Sequence, residues 1–212
     1  MRVSIGEVQS TVMKATRGAY MSWGMAEEAG RVAAWLETRC LPGATAAASL
    51  VEENDSIPMA RLSPVDPFEV IVKGEGRLCP VMVGAAISDA NRDEAFEIAA
   101  VAHPLLLVSF VGQLGGGQQT DFSVTWHGVE ILCGYNGLTV KGEEADLLKN
   151  YVSSVKIAPS DQKADAVIKR ELRAEVEDTI WDILEHYAHR TYVPASEASR
   201  LAGAGAGLTD ND

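Results

Sequence analysis

The stretch from Phe122 to Lys141 constrains the fold more than any other part of the chain. Phe122, Val124 and Trp126 alternate with Ser123 and Thr125, the period-two pattern of a strand with one dry and one wet face. His127-Gly128 then turns, and Val129–Tyr135 alternates again, less cleanly. Asn136-Gly137 is a hairpin dipeptide, because a type I′ turn needs positive φ at both central residues. Leu138–Lys141 completes a three-strand antiparallel meander.

The flanking segments set the class. Ser4-Ile5-Gly6-Glu7 is a capping box, and Ile5, Val8, Val12 and Ala15 recur at helical spacing to about Thr16. Gly18 is expected to break this helix by taking a positive φ. Ser22 caps a second helix over Trp23–Arg39, with small residues on its apolar stripe, and Pro42-Gly43 stops it. Residues 44–66 are poorly patterned, with one short helix over Ala44–Glu53, and suit a surface crossing or an arm to another subunit. Strands are expected at Phe68–Val72, Val81–Ile87, Glu97–Ala102 and Leu105–Val111, with the glycines of 112–117 as a flexible connection. A short helix near Glu144–Tyr151 and a last strand over Val152–Ile157 follow. Ile168, Leu172, Val176, Ile180, Ile183, Leu184 and Tyr187 then mark one face of a long helix from Asp165 to about His189, ahead of a Gly/Ala-rich tail. Helices, strands and a final helix in that order give an α+β fold, with an N-terminal helical pair, a central mostly antiparallel sheet and a long C-terminal helix. A length of 212 residues suits one domain, divided into a helical segment (1–43), a sheet segment (68–158) and the long helix with its tail (164–212).

Charge narrows the partners. The 18 Lys+Arg face 30 Asp+Glu, a net charge of -12. No block is strongly basic, so nucleic acid and anionic membranes are disfavoured. Residues 1–40 hold five basic and four acidic side chains, the only near-neutral field on offer to an anion. No apolar run is long enough to span a bilayer, and the N-terminus has no signal-peptide core. Cys40, Cys79 and Cys133 are odd in number and far apart, which fits reduced thiols and a cytoplasmic location.

The candidate chemistry lies at two places. Lys14, Arg17, Tyr20, Trp23, Glu27 and Glu28 cluster at the first helix break, where a helix N-terminus at Ser22 favours an anion. Glu27 lies one turn after Trp23, on the same face, and suits a general base screened from water by the indole. Near the other end, Tyr192, Ser196, Ser199 and Arg200 offer an aromatic wall, two hydroxyls and a bidentate cation. Together these give a site for a small anion such as a carboxylate, held by Arg17 and Arg200, walled by Trp23 and Tyr192, with Tyr20 and both serines assisting and Glu27 moving a proton. The alternatives are a helix-packing corner with exposed charges and a surface ion pair at Arg200.

Other motifs carry less. His186 and His189 share a helical stripe with Asp182 and could hold zinc with a third protein ligand, but the spacing is common and a cation suits a helix C-terminus anyway, so no metal is assigned. The glycines of 203–207 follow a helix rather than precede one and include no Lys, so they are not a phosphate loop. Asp210 and Asp212 present oxygens a divalent cation could use, or a frayed end. The SxxK pairs at Ser153 and Ser160 lack companion motifs, and Cys133 is expected to be packed. No cofactor is indicated.

Residues 14–30, Lys-Ala-Thr-Arg-Gly-Ala-Tyr-Met-Ser-Trp-Gly-Met-Ala-Glu-Glu-Ala-Gly, and the closing run from Tyr192 to Asp212 resemble a bacterial family of about 200-residue proteins known as a domain of unknown function. The resemblance implies a free-standing bacterial protein and brings no catalytic residue, cofactor or substrate. The expected function is therefore an enzyme or binding protein for a small anion. A non-catalytic, self-associating subunit, with 44–66 and the tail as interface arms, is the alternative.

Overall fold

Ser4 sets the start of the first helix. In the structure, a computed structural model that describes residues 1–165 and 171–192, strand β1 (Arg2–Ser4) leads straight into α1 (Ile5–Gly18). The Glu7 N–H donates to Ser4 Oγ at 3.2 Å, and the Ser4 N–H donates to Glu7 Oε2 at 2.7 Å. These bonds satisfy two donors that a helix start leaves bare. The Ser4 N–H is also the main reason the Glu7 carboxyl sits below its usual range. Val8, Val12 and Ala15 are buried on the α1 inner face.

Gly18 is the last residue of α1, and Tyr20, at φ +70°, makes the turn. Glycine is needed at 18 for clearance: a Cβ there would lie 1.9 Å from the Tyr187 carbonyl oxygen. α2 (Trp23–Glu37) follows, with Ser22 extended at its N-cap but making no side-chain capping bond. Ala26, Ala29 and Ala33 are buried on α2, and a Cβ at Gly30 would meet the Gln9 carbonyl at 2.5 Å, so small residues do let α1 and α2 approach closely.

Residues 44–54 are not an arm. They belong to α3 (Gly43–Asn54), with Ala46, Ala47, Ala48, Leu50 and Val51 all buried in the core. The Glu37 carboxylate caps this helix through the Ala44 N–H at 2.8 Å. A run of alanines has little side-chain contrast, so its buried face leaves a weak periodic signal.

Two expected strands are helices. After a 3-10 turn (Met59–Leu62) and β2, which is only Ile71–Val72, residues 80–89 form α4 (Pro80–Asp89) and not a strand. β3 (Phe96–Ala102) matches expectation, but residues 105–118 form α5 (Leu105–Gln118), glycines included. Ten of the fourteen α5 residues are buried. A helix apolar on every side shows no 3.6-residue contrast and reads like a buried strand. Pro80 and Pro104 stand at the starts of the two helices, where a missing N–H costs nothing.

The meander is present as β4 (Asp121–Trp126), β5 (Val129–Gly134) and β6 (Leu138–Lys141). α6 (Glu144–Leu147) and β7 (Tyr151–Ser160) follow. The sheet order is β2-β3-β7-β4-β5-β6, parallel only between β2 and β3. The long helix expected from Asp165 is shorter and starts later. Residues 173–175 form β8 (Arg173–Glu175), paired antiparallel with β1, and the helix is α7 (Asp178–His189). The N-terminal ammonium donates to the Val176 carbonyl at 2.6 Å and to Asp178 Oδ1 at 2.8 Å. Leu172, expected on the apolar stripe, is 82% exposed. A distant strand partner overrides the local helical pattern here.

The described residues therefore form an α+β structure with one contiguous apolar core. α5 lies on β4 and β5, α2, α3 and α4 lie around it, and α1 pairs with α7 on the outside. The other sheet face is wet: Glu97, Lys156, Thr125, Glu130 and Lys141 lie in one cross-strand row. Among the described residues no helix is long and apolar enough to cross a membrane.

Candidate functional site

The corner between α1 and α2 meets the end of α7. Lys14 Nζ lies 3.3 Å from the Tyr192 hydroxyl and 5.4 Å from the centre of its ring. One turn later the Arg17 guanidinium donates to the Met21 carbonyl at 2.9 Å and stacks 5.2 Å from the Trp23 ring centre. That bond stitches the turn closed, and the stacking holds the cation over an indole that is 53% exposed. Glu27, one turn along α2, is exposed and the Trp23 ring is itself half in water, so the indole does not screen this carboxylate as the sequence led one to expect.

Tyr20 is the unusual residue. A bulky side chain at positive φ costs of order 1 kcal/mol, and such strain concentrates where the ring has a use. The ring is 66% exposed and forms one wall of a hollow of about 280 Å³ lined also by Ser56, Ile57, Pro58 and Met59. Ser56, at φ +65°, is a second non-glycine in the left-handed region on the same hollow. The Ser22 N–H lies 3.2 Å from Met59 Sδ, so the hollow adjoins the N-terminus of α2, where Ser22 supplies no side-chain cap. On its far side Arg190 holds Asp55 with both oxygens 2.9 Å from one nitrogen, and stacks on Tyr187 at 4.1 Å. That pair ties α7 to the segment after α3.

Of the residues expected from sequence, Arg17, Tyr20 and Trp23 share the α1–α2 corner, and Tyr192 joins it through Lys14. Ser196, Ser199 and Arg200 lie outside the described residues, as do Asp210 and Asp212. Residues 55–59 and Arg190 were not expected. Only the tertiary fold brings them to Tyr20, and no local pattern marks them. His186 lies 3.5 Å from Arg190 and edge-on to Tyr187, and His189 packs edge-on against Tyr192. Among the described residues no three His, Cys, Asp or Glu side chains are grouped to hold a metal ion.

A second polar cluster lies inside. Glu53 forms an ion pair with Arg77, and His103 Nε2 is 3.3 Å from Glu53 Oε2. Arg77 also donates to Asn54 Oδ1 at 2.9 Å. Burial lowers the His103 pKa and outweighs the pull of Glu53, so the ring is neutral near pH 7. Burial likewise raises the pKa of the Cys79 thiol, which is fully enclosed at the start of α4. A protonated, enclosed thiol is a poor nucleophile, so this cluster serves to join α3 to the end of β3.

Residues 3–77 match the model of a family described as a protein of unknown function, DUF3726. No curated protein and no solved structure matches the chain. The DUF3726 match takes in Arg17, Tyr20, Trp23, Glu27 and residues 55–59, the α1, α2 and loop parts of the corner. It includes the 14–30 stretch and leaves out the run from Tyr192 onward.

Proposed function

We propose that this corner binds a small carboxylate with an apolar or aromatic body. The observation that carries the reading is Tyr20: a strained, exposed ring walls an apolar hollow that adjoins an uncapped helix N-terminus. The hollow takes the apolar part, and the carboxylate meets the α2 N-terminus beside Arg17. Glu27 is the carboxylate placed on the same α2 face to exchange a proton with the ligand. Arg200 follows Tyr192 by eight residues, a reach of up to about 28 Å, so it and the two serines are the donors assigned to close the site.

The test is a thermal-shift and calorimetry panel of benzoate, phenylacetate and hexanoate against their neutral amides. At ten times the dissociation constant a ligand stabilises by about 1.4 kcal/mol, a shift of about 3–5 °C. Tyr20→Gly relieves the positive φ, so the free protein is expected to melt no lower than wild type while the ligand shift disappears. Arg17→Ala and Arg200→Ala are expected to weaken binding. If no carboxylate stabilises wild type, or if Tyr20→Gly binds as well, the reading is wrong.

Self-association has its own supporting observation. Val65, Phe68, Val70 and Ile71 are 72%, 67%, 72% and 50% exposed beside the β2 sheet edge. Apolar side chains concentrated this way mark contact surfaces. Val65 donates to the Lys73 carbonyl at 2.9 Å and shields that edge from strand pairing, so the contact would be made by side chains. Light scattering is expected to give a mass above 22.6 kDa for wild type and 22.6 kDa for Phe68→Asp/Val70→Asp. A wild-type monomer at every concentration would remove this reading.

A further inference from the structure

A second hollow, of about 460 Å³, opens on the wet side of the sheet at the ends of β4 and β7. Its lining includes Thr125, His127, Lys149, Ser153, Ser154 and Lys156. Three basic groups and three aliphatic hydroxyls are in that lining, and no carboxylate is, in a chain whose net charge is -12.

The backbone explains the concentration. Val152, Val155 and Ile157 of β7 are all buried, so the alternation slips by one between 152 and 155. Ser153 and Ser154 both fall off the core face as a result. The slip lies beside Ala100 of β3, at φ +54°, whose carbonyl accepts the Leu78 N–H at 2.7 Å. Thr125 and Lys156 are cross-strand partners on the same face. Lys149 and His127 flank Asp146, which Lys149 contacts at 2.8 Å. That carboxylate packs under the His127-Gly128 turn, within 2.4 Å of where a Gly128 Cβ would be, and not in the hollow. Glu97 is the direct cross-strand neighbour of Lys156 on the same face, and it is not in the lining either.

We propose that this hollow binds the phosphate of a small phosphomonoester. Several ammonium and hydroxyl donors with no planar Arg fork suit a tetrahedral oxyanion as point contacts. The volume exceeds a bare phosphate, and Tyr151, half exposed in the same lining, offers an aromatic ring for the rest of the molecule. The site is independent of the Tyr20 corner.

The same phosphate chemistry occurs free and on lipid, so the test uses inorganic phosphate, glycerol 3-phosphate, and phosphatidylcholine vesicles with and without phosphatidic acid, at low ionic strength. Calorimetry and amide chemical shifts are expected to show saturable binding of glycerol 3-phosphate, with shifts at Thr125, Ser153 and Ser154, and no gain in vesicle binding. Lys156→Gln is expected to weaken it about tenfold, and Ser153→Ala/Ser154→Ala by severalfold, with unchanged melting temperature. Lys141→Gln, on the same face beyond β5, and Arg17→Ala are expected to bind within about twofold of wild type. No saturable binding by wild type, binding only to vesicles, or a loss in Arg17→Ala but not in Lys156→Gln would each overturn the proposal.

Discussion

Gly18→Ala is expected to lower the melting temperature by about 6–12 °C, a loss of about 3 kcal/mol. The sign is opposite to the usual one. Gly to Ala inside a helix ordinarily stabilises by up to about 1 kcal/mol, because alanine costs less backbone entropy. Gly18 has helical geometry, so that gain is available to it. Clearance decides the outcome instead: the new Cβ would lie 1.9 Å from the Tyr187 carbonyl oxygen and 2.9 Å from its carbon. Both are backbone atoms of α7 and cannot rotate away. α1 and α7 must separate, and the contacts of Val12, Ala15, Leu184 and Tyr187 loosen with them. Gly6→Ala is the control, since a Cβ there meets nothing within 4 Å. It is expected to be neutral or slightly stabilising. A Gly18→Ala melt within about 1 °C of wild type would mean the two helices are not in contact at this point. Because Lys14, Tyr20 and Tyr192 lie on the same seam, Gly18→Ala should also weaken carboxylate binding, whereas Gly6→Ala should not.

What could be read from the sequence depended on contrast. β4 and β6 have one wet and one dry face, so alternation marked them, and Asn136-Gly137 marked the turn. The α1 start was legible because Ser4 and Glu7 bond only to each other's backbone. α4 and α5 lack contrast, being apolar on nearly every side, and their strand-like composition misled. The stripe from Ile168 to Tyr187 failed for another reason. Its second half is α7, but Arg173–Glu175 finds a partner in β1, some 170 residues earlier. The candidate site divides the same way. Lys14, Arg17, Tyr20 and Trp23 are close in sequence and could be seen as a cluster. The floor of the hollow, residues 56–59, reaches Tyr20 only through the packing of α3, and Glu53, Arg77 and His103 form a network that no spacing rule connects.

Asp121 should make the protein acid-sensitive, and Asp121→Ala should cost about 3–4 kcal/mol at pH 7. The side chain is 3% exposed at the start of β4. Its carboxylate accepts the Asn136 N–H, the Asn136 amide and the Ala164 N–H, each at 2.9 Å. One group thus holds the β5–β6 turn and the segment that follows β7. Burial pushes its pKa up, but the two N–H donors and the Asn136 amide outweigh it and hold the carboxyl below its ordinary value. A folded pKa lower than the unfolded one means the unfolded chain binds the extra proton. The stabilisation is therefore full above about pH 4–5 and is lost as pH falls through the folded value. Asp121→Asn separates the charge from the shape. It keeps one acceptor but turns an NH₂ toward a donor, so it should lose less than alanine at pH 7. Urea melts should show the gap between wild type and Asp121→Asn narrowing below about pH 4 and flat above pH 6. A gap that stays constant down to pH 3 would show that Asp121 contributes shape alone. One that widens in acid would show that the carboxyl is protonated in the folded state, and that the turn at Asn136 is held by a neutral acid.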